Sequence, residues 1–589
     1  MPMIPTNLPP ADGSLTVVPG FIDYHAEHNP DRPWAIFPSD TSPAEATSIS
    51  FGEFARATHR VAYHVRPVCK GTEREVVGII VHTDAILYMA VIAGLMRAGI
   101  TPLPMSPKIS PEAIANLLKK TSSHRVITQD AFLPTLKALQ SQLAGEEYSL
   151  TIDNLIPLDA AFPTLKLGTD VGGLPEGPYP KDSQEPGMDD IVMYSHSSGS
   201  TGLPKPVPLT RRIQLQWATS NLLWETRKRG VQWASMIYLT FHMTGLYMQF
   251  IHPLVSGQAV GLYAPQSPAP PPVPTADSAI EVCRITKCNA IAAVPTFVEH
   301  WAQSDDHVNF LSTLESLTFS GGPLSAKSGA KLIKAGVSLY SIYGITECGA
   351  HSMNFDADDS QGPDALCKTS ADWDWFQFSD AVKPRFVPQS DGKYELHYLT
   401  CETHHPSVEN LPDVKGYATS DLFIPHPTKK GLWKIVGRID DVIVLATGEN
   451  VVPIPQEGHL VANTLIAGAV MFGRGRDFPG VLIEPHAAHT VDASDESLVQ
   501  EFIDKIWPIV EEANKIAMAY GRISKNMIII TSRDRPLPRA AKGTIVRKQA
   551  IELYNDDIEK LYSSASGIIR GENFKQATST LHTNIFDKA

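Results

Sequence analysis

The run Ser195-His-Ser-Ser-Gly-Ser-Thr-Gly-Leu-Pro-Lys-Pro206 constrains this chain most, because two glycines and five hydroxyl side chains crowded before one lysine make a loop suited to phosphate. Gly199 and Gly202 let the backbone curl, so that N–H groups and the hydroxyls of Ser197, Ser198, Ser200 and Thr201 point at phosphoryl oxygens. Lys205 adds a point charge. The spacing is not that of the nucleoside-triphosphatase P-loop, since Leu203-Pro204 separates Gly202 from Lys205 and no Ser or Thr follows the lysine. Just upstream, Ile191-Val-Met-Tyr194 is a short apolar strand candidate that would hold the loop, with Asp189 and Asp190 at its polar start. Composition by itself leaves a second reading open, that of a surface connection without a ligand.

With 589 residues, 43% of them hydrophobic, the chain has apolar material for more than one core. A formal net charge of −13 argues against nucleic-acid binding and against a basic membrane-facing surface. Cys69, Cys283, Cys288, Cys348, Cys367 and Cys401 show no CxxC or finger-like spacing and no dense disulfide framework, which fits a reducing, cytoplasmic compartment. The opening Met-Pro-Met-Ile-Pro-Thr-Asn has neither a basic region nor a continuous apolar one, so a secretory signal is not expected. Val76 to Met96 is strongly apolar, but His82, Asp84 and the Ala and Gly content predict a buried strand, turn and helix instead of a membrane span.

Phe51 to Val65 has helical spacing, and Val76-Val-Gly-Ile-Ile-Val81 reads as a buried parallel-type strand followed by an Ala-rich helix. Ile109 to Lys119, followed by Arg125-Val-Ile-Thr128, repeats the unit and predicts an α/β core. Residues 1–50, rich in Pro, Asp and Ser apart from Val17-Val-Pro-Gly-Phe-Ile-Asp23, are expected to be an irregular lead-in. Gly172 to Gly187 and Gln266 to Pro274 read as breaker-rich loops. A boundary is expected near Gly437-Arg-Ile-Asp-Asp441, giving a large domain over 1–437, a small one over 438–561 and a linker or tail over 562–589.

Ser341-Ile-Tyr-Gly-Ile-Thr-Glu347 sets an aromatic, a threonine and an acid around one glycine turn. Tyr343 can stack on a base, Thr346 can donate to phosphate, and Glu347 can hold Mg²⁺, a hard cation that takes oxygen ligands. One protein carboxylate suffices where ATP supplies the other oxygens. The alternative is a strand end running into a capped helix, because Thr346-Glu347 also suits a helix N-terminus.

In order and spacing, Ser197-Ser-Gly-Ser-Thr-Gly-Leu-Pro-Lys205, Tyr343-Gly-Ile-Thr-Glu347, Tyr417-Ala-Thr-Ser-Asp421, and Gly437-Arg-Ile-Asp-Asp-Val-Ile443 with Gly448-Glu-Asn450 resemble the core motifs of the adenylate-forming superfamily. That superfamily includes acyl-CoA synthetases, luciferases and nonribosomal-peptide adenylation domains, and the resemblance covers roughly residues 20–560. It implies ATP- and Mg²⁺-dependent activation of a carboxylic acid to an acyl-adenylate with loss of pyrophosphate, then capture by a thiol. It implies an α/β fold too: a large N-terminal domain of stacked mixed sheets and helices in αβαβα layers, and a smaller, mobile α+β C-terminal domain. On this sequence Asp421 and Arg438 would bind the ribose hydroxyls, while Gly321, Gly322 and Pro323 would line the adenine and acyl pocket. A carboxylate suits Asp421 because it accepts from both sugar hydroxyls.

The same resemblance puts the acid pocket at Phe241-His-Met-Thr-Gly245, where amino-acid-activating relatives carry an Asp that pairs with the substrate ammonium and this chain has His242. A buried ammonium without a counter-charge is costly, so an aryl, aliphatic or keto acid lacking an α-amine is expected. His242 is otherwise a core or helix-cap histidine, and Val294, Pro295, Thr296 and Cys348 are either further pocket residues or plain packing. Relatives place the catalytic lysine directly after a glycine, but here Thr544 follows Gly543 and Lys542 precedes it. The implied catalytic set is Lys542, contacting the carboxylate and α-phosphate, with His242 and Thr346; Lys548 is the alternative lysine. Asp440 resembles the hinge about which the small domain rotates, and Gly448 would lie near the pantetheine arm.

Val470-Met-Phe-Gly-Arg-Gly-Arg-Asp-Phe-Pro-Gly480, Ile506-Trp-Pro-Ile-Val-Glu-Glu-Ala-Asn514 and Leu537-Pro-Arg-Ala-Ala-Lys-Gly-Thr-Ile-Val-Arg547 are similar to adenylation domains of fungal NRPS-like carboxylic acid reductases. In those proteins a carrier domain and an NADPH-dependent reductase domain follow. The expected acceptor is then the phosphopantetheine of a carrier domain, and residues 562–589 would suit the linker to it, in a monomer without nucleic-acid or membrane partners. A free-standing ligase that forms acyl-CoA is the second reading. A non-catalytic nucleotide-binding module is the third, and against it stands the full set of Lys205, Thr346, Glu347, Asp421, Arg438 and Lys542.

Overall fold

The computed structural model describes residues 7–10, 14–15, 18–39, 42, 44–68, 74–167, 174, 177–181, 185–197, 203–352, 372–540 and 543–563. Ser198, Gly199, Ser200, Thr201, Gly202 and Lys542 lie outside them, as do Cys69 and Cys367.

The large domain is built on two parallel-rich sheets. One runs in the order Thr101–Pro104, Val76–Ile80, Arg125–Thr128, Thr151–Asn154, with every pairing parallel. The other runs Leu339–Ile342, Ser316–Ser320, Ala290–Ala293, Trp233–Ala234, Val260–Gly261, Pro33–Pro38, Ala46–Ser50, and only its last pairing is antiparallel. Ala290–Ala293 and Ser316–Ser320 are buried at every position, as a strand covered on both faces must be. A five-stranded antiparallel sheet follows: Phe376–Gln377, Leu432–Arg438, Gly416–Pro425, Tyr394–Leu399, Lys383–Pro388. Its core is aromatic, with Phe376, Tyr398 and Phe423 fully packed.

The helices Phe51–Val65 and Ala85–Arg97 form the main core with Trp34, Phe37 and Leu262. Ser50 opens the first through a capping box: its hydroxyl accepts from Glu53 N at 3.2 Å, and Glu53 Oε2 accepts from Ser50 N at 2.8 Å. Ala85–Arg97 is buried nearly all round, so its continuous apolarity belongs to a core helix. Among the described residues no helix is long and apolar enough to cross a membrane. Gly94 lets these two helices touch, because a Cβ there would stand 2.4 Å from Val61 Cβ.

Residues 18–50 are not an irregular lead-in. They form the helix Val18–His28 and the strands Pro33–Pro38 and Ala46–Ser50 at the edge of the seven-stranded sheet. The prolines that suggested a breaker stand at the two ends of Pro33–Pro38, and between them Trp34, Ala35 and Phe37 are buried. Residues 266–274 carry no helix or strand, in line with their proline content.

The small domain has its own three-stranded sheet, Ile466–Phe472, Gly480–Pro485, Ile528–Ile530. The helices Ile454–Val461 and Glu496–Lys515 cover one face around Ile483, Ile506 and Val510. Arg547–Leu553 and a helix over 555–563 add a second apolar cluster. Tyr562, assigned above to the tail, belongs to that cluster: its hydroxyl donates to Phe478 O at 2.6 Å and the Arg476 guanidinium lies 5.0 Å from its ring centre. Ile558, Leu561 and Tyr562 are the i, i+3, i+4 stripe that continues the helix past the expected boundary. Residues 564–589 lie outside the described residues.

Gly94→Leu is expected to force the two core helices apart, at a cost of about 1–3 kcal/mol for an overpacked site. A thermal melt should then move down by a few degrees. An unchanged melting temperature would contradict the close contact of Gly94 with Val61.

Candidate active site

Residues of both domains line one cleft of about 1690 Å³. Ser197, Lys205, Thr346 and Glu347 border it from the large domain, and Arg539, Thr544 and Lys548 from the small one.

Arg438, on the wall of this cleft, stands directly opposite Asp421 in a neighbouring antiparallel strand, while Asp421 itself is not among the walls. Asp421 is buried; its Oδ1 accepts from Arg438 Nη1 at 3.0 Å and its Oδ2 from the Tyr343 hydroxyl at 2.6 Å. Arg438 borders the cleft and also donates to Asp440 Oδ2 at 3.3 Å. The preceding residue, Ser420, holds φ at +60°, an uncommon value for a residue with a side chain. Two hydrogen bonds fix it there, Ser420 N to Glu395 Oε1 at 3.1 Å and Ile439 N to Ser420 O at 2.8 Å. Ser420 itself borders the cleft.

Tyr343 does not present a face for stacking on a base. Phe376, Phe378 and Phe423 surround its ring, with centroids 5.8, 6.0 and 5.1 Å away, and its hydroxyl serves Asp421. Tyr417, from the same motif as Asp421, borders the cleft. Cys348 likewise turns inward beside Leu396 and Tyr398, and burial, followed by the nearby Glu347 and Asp421 charges, pushes its thiol well above its usual range. It packs in the aromatic core and is not among the walls of the cleft.

Thr346 and Glu347 occupy the tip of the hairpin Gly344–Ile345 and Gly349–Ala350, closed by Cys348 N donating to Ile345 O at 3.1 Å. The capped-helix alternative is thereby excluded. Among the described residues no three His, Cys, Asp or Glu side chains converge on a metal position. The donor set fits Mg²⁺ only as a shared ion, with Glu347 supplying one carboxylate and nucleotide phosphates supplying further oxygens.

The phosphate loop springs from a hairpin, Ile191–Ser197 with Lys205–Thr210, in which Ser197 pairs with Lys205. Ser197 and Lys205 both line the cleft. His196, unassigned from sequence, packs parallel to Phe241 at 6.4 Å, and its Nε2 accepts from Ser106 N at 3.3 Å. Burial pulls its imidazole down to about 4, so it serves as a neutral acceptor at pH 7.

Phe241, His242, Met243 and Thr244 border the cleft. His242 caps the turn Met243–Leu246, its Nδ1 accepting from Thr244 N at 3.3 Å, so the cap and the cleft position coexist. Gly245 is required by close approach, since a Cβ would lie 2.0 Å from Leu239 O. The chain then makes a π-helical turn, Tyr247–Ile251, of the kind that often re-aims side chains at functional sites. It brings Tyr247 within 2.5 Å of the Ser220 hydroxyl. Trp217, Tyr238, Tyr247 and Met248 are cleft residues that sequence reasoning missed, because nothing in their spacing separates them from core aromatics. Gly321 borders the cleft at φ +87°, whereas Val294, Pro295, Gly322 and Pro323 are not among its walls. Val294 packs against two apolar clusters, and Pro295 Cγ lies 3.6 Å from where a Cβ on Gly322 would stand.

In the small domain Ala540 N donates to Thr544 O and Gly543 N to Ala540 O, each at 2.8 Å, and these flanks of residues 541–542 border the cleft. Asp440 borders it where the domains join, and Arg474 Nη2 donates to the carbonyls of Asp440 at 3.1 Å and Val442 at 2.7 Å. Gly448 is not a cleft wall; the place a Cβ would take is open, so its φ of +86° is what calls for glycine here.

The profile of the AMP-binding enzyme family matches residues 22–370, and that of the AMP-binding enzyme C-terminal domain matches 440–566. The chain belongs to this family. It is 43% identical over 565 residues to the adenylate-forming reductase Nps11 of Serpula lacrymans, covering 95% of this chain and 50% of that protein. Nps9, an adenylate-forming reductase of the same organism, is 41% identical over 560 residues, with 94% and 50% covered. The chain thus spans about half the length of these relatives. Among solved structures it shares the fold of the adenylation domain of a carboxylate reductase from Mycobacterium chelonae, with a TM-score of 0.68, 16% identity, and 95% and 94% of the two chains covered.

Asp421→Asn removes the charge that Arg438 and the Tyr343 hydroxyl share. A hydrogen bond to a charged group contributes about 1.5–3 kcal/mol, so the ATP KM should rise by roughly 10- to 150-fold. Steady-state kinetics on folded protein would measure this, and an unchanged ATP KM would remove Asp421 from the nucleotide site.

Proposed function

We propose that this chain is an ATP- and Mg²⁺-dependent adenylation unit that activates a carboxylic acid lacking an α-amine (aryl, keto or aliphatic) to an acyl-adenylate. It then passes the acyl group to the phosphopantetheine thiol of a carrier domain, for reduction in a longer protein. The observation that carries this reading is the cleft, where Arg438, paired with buried Asp421, the Ser197–Lys205 loop base, Glu347 and the flanks of Lys542 meet one cavity. Membership in the AMP-binding family supports the first half-reaction. The reductase names and double length of Nps11 and Nps9 support the second.

In this reading the acid enters beside Phe241 and His242, and its carboxylate oxygen attacks the α-phosphorus of ATP as pyrophosphate leaves. Asp421 accepts from the ribose hydroxyls while Arg438 holds that carboxylate in place. The loop hydroxyls, Thr346 and Lys205 take the phosphates. Mg²⁺, when bound through Glu347, offsets phosphate charge. Lys542 stabilises charge on the carboxylate and α-phosphate as the new bond forms. The small domain then turns about Asp440, and the thiol displaces AMP from the acyl carbon. The contacts of Asp440 with Arg438 and Arg474 are short-range polar ones at a partly exposed junction, which suits a segment that moves.

Lys542→Ala should lower acid-dependent pyrophosphate release by about 10²–10³-fold, the usual effect of losing one electrostatic stabiliser. Unaltered release would shift the role first to Lys548, which borders the same cleft. Adenylation rates for benzoic, cinnamic, short aliphatic, α-keto and α-amino acids should peak outside the α-amino class. A maximum for an α-amino acid would overturn the pocket assignment. Mass analysis after incubation with CoA or a phosphopantetheinylated carrier domain should show acyl transfer to the carrier.

A further inference from the structure

The hairpin tip that carries Glu347 is held by two buried histidines, one of which, His351, also borders the cleft. His351 Nε2 lies 2.9 Å and His404 Nε2 3.0 Å from the same atom, the carbonyl oxygen of Cys348. A carbonyl only accepts, so each imidazole donates an Nε2–H, and together they use both lone pairs of the peptide oxygen that follows Glu347. The rings meet edge to face at 4.4 Å, against Tyr398. His404 is fully buried, and its Nδ1 has no hydrogen-bond partner among the described residues, which leaves the carbonyl as the polar contact of that ring. Its segment makes a second bond to the tip, Ser407 N donating to the Glu347 carbonyl at 2.6 Å.

Burying two imidazoles is costly, and one backbone carbonyl in an ordinary hairpin does not require both. We propose that His351 and His404 are positioning residues that lock the Cys348 carbonyl and so fix the direction in which the Glu347 carboxylate meets a divalent ion on the nucleotide. This rests on the reading of Glu347 as the metal-binding carboxylate. The side chain of Glu347 stands at a turn tip, and two consecutive carbonyls held by hydrogen bonds, at Glu347 and Cys348, leave that tip little freedom to pivot. Outer contacts of this kind commonly set metal affinity by about 10- to 100-fold.

The test uses the whole chain with a non-hydrolysable ATP analogue, titrated with Mn²⁺ and read by the electron paramagnetic resonance of the free ion. His404→Phe keeps a ring of similar size but lacks the N–H. It should weaken Mn²⁺ binding by about 10-fold or more, and His351→Phe/His404→Phe further. His404→Gln, which offers an amide N–H, should recover most of the affinity. Analogue binding without metal should stay within about 2-fold in all of them, which separates positioning from general loss of the site. Glu347→Gln is the control for the parent reading: if it leaves Mn²⁺ affinity unaltered, Glu347 is not the ligand and the proposal falls with it. If Glu347→Gln weakens Mn²⁺ binding while His404→Phe lowers only the melting temperature, the histidines are structural and the positioning role is refuted. Should His404→Phe not fold, His351→Phe and His404→Gln carry the same comparison.

Discussion

The buried carboxylate of Asp421 is the contact on which the rest of the site depends. A carboxyl group 3% exposed is tolerated only with partners, and among them are the Tyr343 hydroxyl and the Arg438 guanidinium. These come from different elements. Tyr343 directly follows the edge strand of the seven-stranded sheet, while Arg438 ends a strand of the antiparallel sheet and leads into the interdomain segment. One carboxylate therefore ties the seven-stranded and the antiparallel sheets of the large domain to the segment that leads into the small one. An apolar trio would pack as well or better, so stability alone does not account for the arrangement.

The same contact leads into the junction between the domains. Arg438 divides its donors between buried Asp421 and exposed Asp440, and Arg474 donates to the backbone of the segment. Such partly exposed contacts contribute little each. Each domain keeps a separate apolar core. Arg547 is different: it is buried with Glu457 and also donates to Asp441 at 3.1 Å, which joins the segment carrying Lys548 to the small domain as one piece.

Much of this was legible from residues whose role is local. The strand Arg125–Thr128, the helix Phe51–Val65 and the strand feeding the phosphate loop follow from periodicity and capping, which act over a few residues. What failed had a longer-range cause. The segment from Val18 to Ser50 looked irregular because its prolines dominate the local pattern, yet prolines at the first and last positions of Pro33–Pro38 leave that strand paired on both sides. Tyr562 looked like tail because its stripe is completed only by the Phe478 and Arg476 contacts.

The sequence by itself determined the chemistry offered: a loop of hydroxyls and glycines, a Thr-Glu turn, an Asp and an Arg at strand spacing, and no carboxylate next to Phe241. Those are properties of residue type and short spacing, and they persist in any conformation of the segment. Only the tertiary structure decided which groups face the nucleotide cleft and which face the core. Tyr343 and Cys348 sit within five residues of Glu347 and differ from it only in the side of the hairpin they leave by. That side is set by where the aromatic core of Phe376, Tyr398 and Phe423 lies, a contact between segments roughly thirty to eighty residues apart that no local pattern encodes.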